Sequence, residues 1–476
     1  MNFTTMEFAI FMAVTFFIYY IVPGKVQWIV LLLANAYFYY QTGWQSMLFL
    51  AGTIFISYVA GRFIEKNGEK KTVVTTIVLI LCGLLVVMRL PFASMVMPLG
   101  LSFYSLQCIG YCIDVYRGMV PAEKNPARFA LYISFFPHVL QGPFEDYNEL
   151  NTQLSASHRF DYENVVFGLY RVVYGWMKKK VIADRIGLIV DKVYETGEGY
   201  YGLTVLFVML LYTIQLYADF SGYMDMAVGM SRMFGIRIRE NFNVPYASKS
   251  MTEFWRRWHM TLGLWFKNYV FFPVQRTNLC GRIRKAMKAK KKRYGMNVFP
   301  SVIALTVVWT LIGLWHGFDW NYLCYDWFCG LLIIAAELMK PLYDKINDFS
   351  PKIFKSKWMD ALRVVRTFLI VSFSFLLFRP ATMEISMRLF QNLFTQPYVR
   401  SLGEFIYWNI YDLFLIAIPL LIVLVCDCMK YKGIGAGEKL HQLKAPVRYL
   451  IYVLGLMMIY ICQCDMTGTG FAYYVF

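Results

Sequence analysis

The chain has 476 residues, of which 58% are hydrophobic, 18% aromatic and only 16% charged, and its net charge is +17. Soluble globular proteins carry about 25% charged residues, so this composition excludes a soluble enzyme and describes an integral membrane protein. The first apolar run, "MEFAIFMAVTFFIYYIV" at 6–22, has no basic segment ahead of it and no small-residue cleavage site after it, and reads as a retained spanning helix rather than a removed leader. Further runs centre near residues 33, 53, 80, 170, 210, 308, 330, 370, 418 and 455. Together they predict about eleven spans on the ~20-residue criterion for crossing a bilayer.

Between these runs lie shorter or interrupted apolar stretches, around 95–116, 128–141, 222–235 and 254–273, which hold Pro98, Gly100, Gly110, Pro137, Gly142, Gly222 and Gly263. Irregular backbone is tolerated at membrane depth only where protein or a water-filled cavity satisfies its polar groups. The pattern predicts an all-α polytopic protein with re-entrant pieces around a central cavity. No internal repeat, low-complexity linker or soluble domain interrupts it, so residues 1–476 are expected to form one membrane domain: N-terminal spans at 1–90, a core at 98–382 and C-terminal spans at 383–476. Lys25 follows the first span, an uncharged loop the second, and "GRFIEKNGEKK" (61–71) the third, which places the N-terminus outside.

The positive charge is concentrated. Nine Lys or Arg residues fall within 276–293, ending in Lys290, Lys291, Lys292 and Arg293. Two readings are open: cytoplasmic retention and contact with anionic head groups, or docking of an acidic donor, with those four residues as its contacts. Nothing in the pattern calls for nucleic acid. The ten cysteines lie mostly in apolar segments, and the Cys426/Cys428 and Cys462/Cys464 pairs point to different faces of a helix, so neither metal sites nor disulfides are expected.

No glycine-rich phosphate loop, nucleophile elbow or zinc motif is present, and of the five histidines only His138, His259 and His316 lie in apolar surroundings. His316 ends a long apolar run, directly before Gly317. It reads either as a hydrogen-bonded helix-end residue or as a general base, since an imidazole can be neutral at work and accept a hydroxyl proton. His259 lies in "EFWRRWHMTLGLWFKNYVFF" (253–272), where a continuous helix would place Trp255, His259, Leu262 and Phe266 on one face with Arg256 one turn away. That helix is either an interfacial one with snorkelling arginines or a cavity wall. The long helix after the basic loop would raise His316 well above the cytoplasmic face while His259 stays lower.

The run 216–273, from "LYADFSGYMDM" to "WRRWHMTLGLWFKNYVFFP", together with "PLGLSFYSLQCIGYCIDVYRG" (98–118), "FFPHVLQGPFEDYNEL" (135–150), "GLWHG" (313–317), "LLFRPAT" (376–382) and the terminal "FAYYVF" (471–476), closely resembles the membrane-bound O-acyltransferases, in their bacterial alginate-acetylating branch. The teichoic acid D-alanylating branch is similar. The resemblance implies a multi-helix enzyme of the bacterial plasma membrane with an outer funnel and a narrow cytoplasmic tunnel. It implies His316 and His259 as catalytic residues, and Trp255, Arg256, Asn241, Asp219, Ser221 and Trp315 as substrate- or tunnel-lining. No bound cofactor or metal is implied. The donor would be acetyl-CoA or the phosphopantetheine of an acyl carrier protein. The acceptor would be an extracytoplasmic polysaccharide, reached directly or through a membrane-anchored SGNH-type acyltransferase. A polytopic flippase that makes no bond is the contrasting reading, since buried cations and broken helices suit it too.

Overall fold

A computed structural model describes residues 2–67, 71–88, 98–140, 142–395 and 399–464, and the motif at 471–476 lies outside the described residues. Among them the chain is helical throughout and contains no strand. The architecture is the all-helical one the composition predicts. Among the described residues, seven helices are long and apolar enough to cross a membrane, or eight if one bent pair counts as a single span. Three of the eleven expected runs form helices shorter than 18 residues. The helix at 6–21 has 16 residues and the next only 14, while the one centred near 170 has 15 and runs into three consecutive lysines.

The described residues group into two compact units. The first is built from α1 (Met6–Ile21), α2 (Gln27–Tyr40), α3 (Trp44–Asn67), α4 (Lys71–Met88), α5 (Leu101–Tyr116), α6 (Pro126–Ser134), α7 (Tyr147–Ser155) and α8 (Tyr162–Trp176), with residues 220–240 returning to it. Its core is aromatic: Phe11 meets Phe136 edge-on at 5.2 Å and Phe8 meets Phe38 at 6.0 Å. Asn35, inside α2, donates to Ser134 Oγ (3.1 Å) and accepts from the Phe136 N–H (3.0 Å), which ties down the chain where α6 ends. In α5 the side chains are buried along nearly the whole helix, and its N-cap Gly100 sits at φ 77, a conformation a side chain would strain.

Gly222, expected to interrupt a helix, lies inside the continuous helix Leu203–Met233. Its use is close approach. A Cβ on Gly175 of α8 would lie 2.4 Å from the Gly222 carbonyl oxygen, and one on Gly168 would lie 2.6 Å from that of Gly229. The two contacts are seven residues apart on each helix and so fall on one face, where small residues let backbones approach closely in lipid. Gly175→Ala is therefore expected to destabilise the first unit by about 1–3 kcal/mol through overpacking, read as a lower melting temperature in detergent. An unchanged melt would mean the helices separate without cost.

The second unit comprises α9 (Asp184–Tyr194), the first part of α10 (Leu203–Met233), α11 (Met251–Arg257), α12 (Met260–Phe266), α13 (Phe272–Gln275), α14 (Asn278–Ala289), α15 (Arg293–His316), α16 (Trp320–Leu338), α17 (Lys340–Phe349), α18 (Pro351–Phe354), α19 (Lys357–Phe378), α20 (Met383–Phe394), α21 (Val399–Tyr431), α22 (Ala436–His441) and α23 (Ala445–Cys462). Its central feature is the packing of α16 back along α15. Gly330 of α16 sits against Trp309 of α15, where a Cβ would come within 2.6 Å of the indole. The basic segment expected as a loop is mostly α14, an amphipathic helix, with Lys290, Lys291, Lys292 and Arg293 exposed in the turn that leads into α15.

Candidate active site

His316 is the last residue of α15 and is 3% exposed. The surrounding "GLWHG" explains how it comes to have a partner. Gly313 lets α16 approach so closely that a Cβ there would lie 3.1 Å from Leu323 and 3.4 Å from Asp326 Cβ, and at Gly317 a Cβ would lie 2.3 Å from the Tyr322 ring. With both glycines bare, α16 folds back and sets Asp326, fully buried, with its Oδ2 2.7 Å from His316 Nδ1. Sequence reading missed Asp326. The signal was an acidic residue inside an apolar run ten positions after the histidine, and a buried charge in a membrane segment calls for a named partner.

Aromatic rings hold the imidazole in place. Phe378 meets it edge-on at 5.4 Å, and Tyr325 and Tyr322 stand at 6.4 and 6.5 Å. Phe378 belongs to the "LLFRPAT" stretch, whose Pro380 carbonyl accepts a hydrogen bond from Asn321 (2.7 Å), so this motif fixes one wall of the histidine's surroundings.

The continuous helix expected over 253–272 is not formed. The segment is two helices, α11 and α12, because Trp258 is extended (φ −104, ψ 128) and His259 is left-handed (φ 46, ψ 51). A non-glycine residue in that region costs of order 1–3 kcal/mol and persists only where surroundings enforce it. Here they do. The Met260 and Asn243 N–H groups donate to the Asn241 and Arg257 carbonyls at 3.0 and 2.9 Å, and Trp258, 2% exposed, is wedged among Phe242, Phe254 and Phe375. Asn241, itself 1% exposed, takes the Thr261 N–H and hydroxyl on its Oδ1 (3.0 and 2.9 Å) and sets its Nδ2 3.0 Å from His259 Nδ1. Burial, with the nearby His316 adding to it, holds the His259 imidazole below its ordinary range and hence neutral.

Of the residues expected at the site, the structure brings together His316, His259, Asn241 and Trp315. The Trp315 ring stands 5.1 Å from that of His316 and 6.3 Å from that of His259. Trp255 joins through Trp309 (4.9 Å) and Tyr325 (6.5 Å). Arg256, on α11, is exposed. Asp219 is buried on α10. Ser221 belongs to the first unit, where it accepts from Lys178 Nζ (3.1 Å) beside Asp225. His138 is likewise buried in the first unit, 3.5 Å from Gln107 Nε2.

The family profile described as membrane-bound O-acyltransferase matches residues 121–379, more than half the chain and the whole stretch from His138 to Phe378. The chain belongs to that family. Among curated relatives it is 33% identical to a probable alginate O-acetylase of Azotobacter vinelandii, over 67% of this chain and 56% of the relative. It is 27% identical to a peptidoglycan O-acetyltransferase of Helicobacter pylori, over 63% and 57% of the two chains, and 28% identical to a teichoic acid D-alanyltransferase of Bacillus subtilis, over 60% and 70%. The chain thus spans little more than half the length of the alginate-type relatives it matches.

Proposed function

We propose that this chain is a membrane O-acyltransferase that moves an acetyl group from a cytoplasmic thioester, acetyl-CoA or an acyl carrier protein, to a hydroxyl of an extracytoplasmic polysaccharide or of a membrane-anchored partner acyltransferase. The observation that carries the reading is His316, buried at the end of α15 and paired with Asp326 at 2.7 Å, in a chain of this family. His316 would act as general base on the acceptor hydroxyl. His259, held by Asn241, would act on the thioester. The protein would lie in the bacterial inner membrane with its N-terminus outside.

Purified protein in vesicles with labelled acetyl thioester tests this: label appearing in an acceptor supports transfer, whereas movement of a carrier without label transfer would favour a flippase. Teichoic acid D-alanylation is the second reading, favoured by relatives of that activity. A D-alanyl carrier donor used in place of acetyl thioester would select it.

The exposed Lys290, Lys291, Lys292 and Arg293, together with α14, form a dense cationic surface suited to an acidic donor. Changing all four to glutamine is expected to raise donor KM about 10-fold at low salt, and progressively less as salt screens the contact. Unchanged donor kinetics would leave these charges to membrane topology alone.

A further inference from the structure

Arg379 follows Phe378 at the end of α19, and its N–H still bonds to the Phe375 carbonyl at 3.2 Å, so its side chain shares a face with Phe375. Its Nη2 donates to Asp191 Oδ1 of α9 at 2.5 Å. The two side chains are 34% and 22% exposed, so the pair is reached from outside, and among the described residues Arg379 Nε and Nη1 and Asp191 Oδ2 take no partner. Beneath the pair lie buried aromatic rings. Tyr194, one turn after Asp191 on α9, packs on Tyr212 at 5.5 Å, and Tyr212 meets Phe375 at 5.9 Å. The Tyr194 hydroxyl is buried with no hydrogen-bond partner among the described residues, a costly state for a polar group. This cluster adjoins His316 within the second unit: Phe378 meets the imidazole at 5.4 Å, and Asn321, at the start of α16, donates to the Pro380 carbonyl beside Arg379 at 2.7 Å.

The guanidinium only donates, and a carboxyl in contact with it and reached by solvent is ionised and only accepts. The pair therefore offers donor groups and an acceptor oxygen side by side, with its charges cancelled. A carboxylate or phosphate ligand would set its own oxygens against that of Asp191. A hydroxyl both donates and accepts, and two neighbouring hydroxyls on one ring can take a proton from Arg379 and give one to Asp191. We propose that Arg379, Asp191 and Tyr194 form a subsite that seats vicinal hydroxyls of a sugar ring and so presents a carbohydrate acceptor beside His316. The proposal rests on the acyl-transfer reading given above and deepens it. Protein side chains carry isolated hydroxyls, so this arrangement selects a polysaccharide over a partner acyltransferase as the acceptor received here. A sugar hydroxyl set behind the pair gives the Tyr194 hydroxyl the partner it lacks.

The test uses the full-length protein in nanodiscs with three unacetylated hexasaccharides, built of hexuronate, of glucose and of N-acetylhexosamine units. Binding is read by saturation-transfer NMR of the sugar, and transfer by labelled acetyl thioester. The expected result is that at least one hexasaccharide binds, that Arg379→Lys and Asp191→Asn each raise its KM about 10–100-fold, and that donor KM moves less than about two-fold. Tyr194→Phe separates a sugar contact from a tether between α9 and α19. It removes a buried hydroxyl that has no protein partner, so the melting temperature should hold or rise while the sugar's KM rises about 5-fold. No binding of any hexasaccharide to the wild type, or a lower melting temperature in Arg379→Lys and Asp191→Asn with sugar binding unmoved, would overturn the subsite and leave the pair as a tether. Label passing only to a membrane-anchored partner protein would overturn it too, while the acyl-transfer reading stood. If a hexasaccharide binds and Arg379→Lys abolishes that signal, yet no label moves, the acyl-transfer reading fails and the subsite stands.

Discussion

His316→Ala is expected to lower acyl transfer by about 10²–10⁴-fold, the range that a positioned general base supplies. The residue is 3% exposed, in ring contact with Phe378 and 2.7 Å from Asp326 Oδ2, so the substitution removes the proton acceptor and leaves a cavity beside a buried carboxyl. Some loss of stability follows from that cavity, which makes His316→Gln the necessary companion because it keeps most of the volume without the basic nitrogen. The measurement is the initial rate with labelled thioester, normalised to the monodisperse fraction in size exclusion. Both variants should insert and both should be slow. Activity within a few-fold of wild type in either would remove His316 from the chemistry.

The second large effect is on stability and lies in the first unit. Asp225, 5% exposed, accepts from Arg171 Nε at 2.5 Å and from Lys178 Nζ at 2.6 Å, and Lys178 is itself 3% exposed with its ammonium 4.5 Å from the Tyr174 ring. Breaking a buried pair by deleting one partner typically costs about 3–5 kcal/mol, because the remaining charge has lost its compensation. Asp225→Ala is expected to fall in that range, seen as a large drop in melting temperature or loss of the monodisperse peak. Adding Lys178→Met should recover much of it, since removing both charges also removes the desolvation penalty. If Asp225→Ala melted like the wild type, the cluster would be a surface network solvated from the side.

These two expectations differ in how they could have been reached. His316 was marked by the sequence: a histidine closing a long apolar run before a glycine, in a five-residue motif shared with a family. Asp225 and Lys178 lie 47 residues apart, and no periodicity relates them. The three lysines at 178–180 lie in a π-helical segment with their side chains buried. Gly222 misled a reading by local pattern. A glycine lowers helix propensity wherever it occurs, and only the partner helix shows that the missing side chain is there for close approach.

Sequence alone determined the membrane class, because low charge and long apolar runs leave no other solvent for the surface. It also determined the all-helical architecture, because backbone groups in lipid must be satisfied within the segment. It marked the two histidines and the family, because the motifs that bear them are local strings. The tertiary structure decided what depends on residues distant in the chain. Asp326 reaches His316 only because Gly313 and Gly317 let α16 fold back, and Asn241 reaches across 18 residues to hold His259 in a left-handed turn. That turn ends the single helix a periodicity argument draws through 253–272. Hydrogen bonds from a separate segment outweigh helix propensity at one residue, and local pattern cannot register a partner it does not contain.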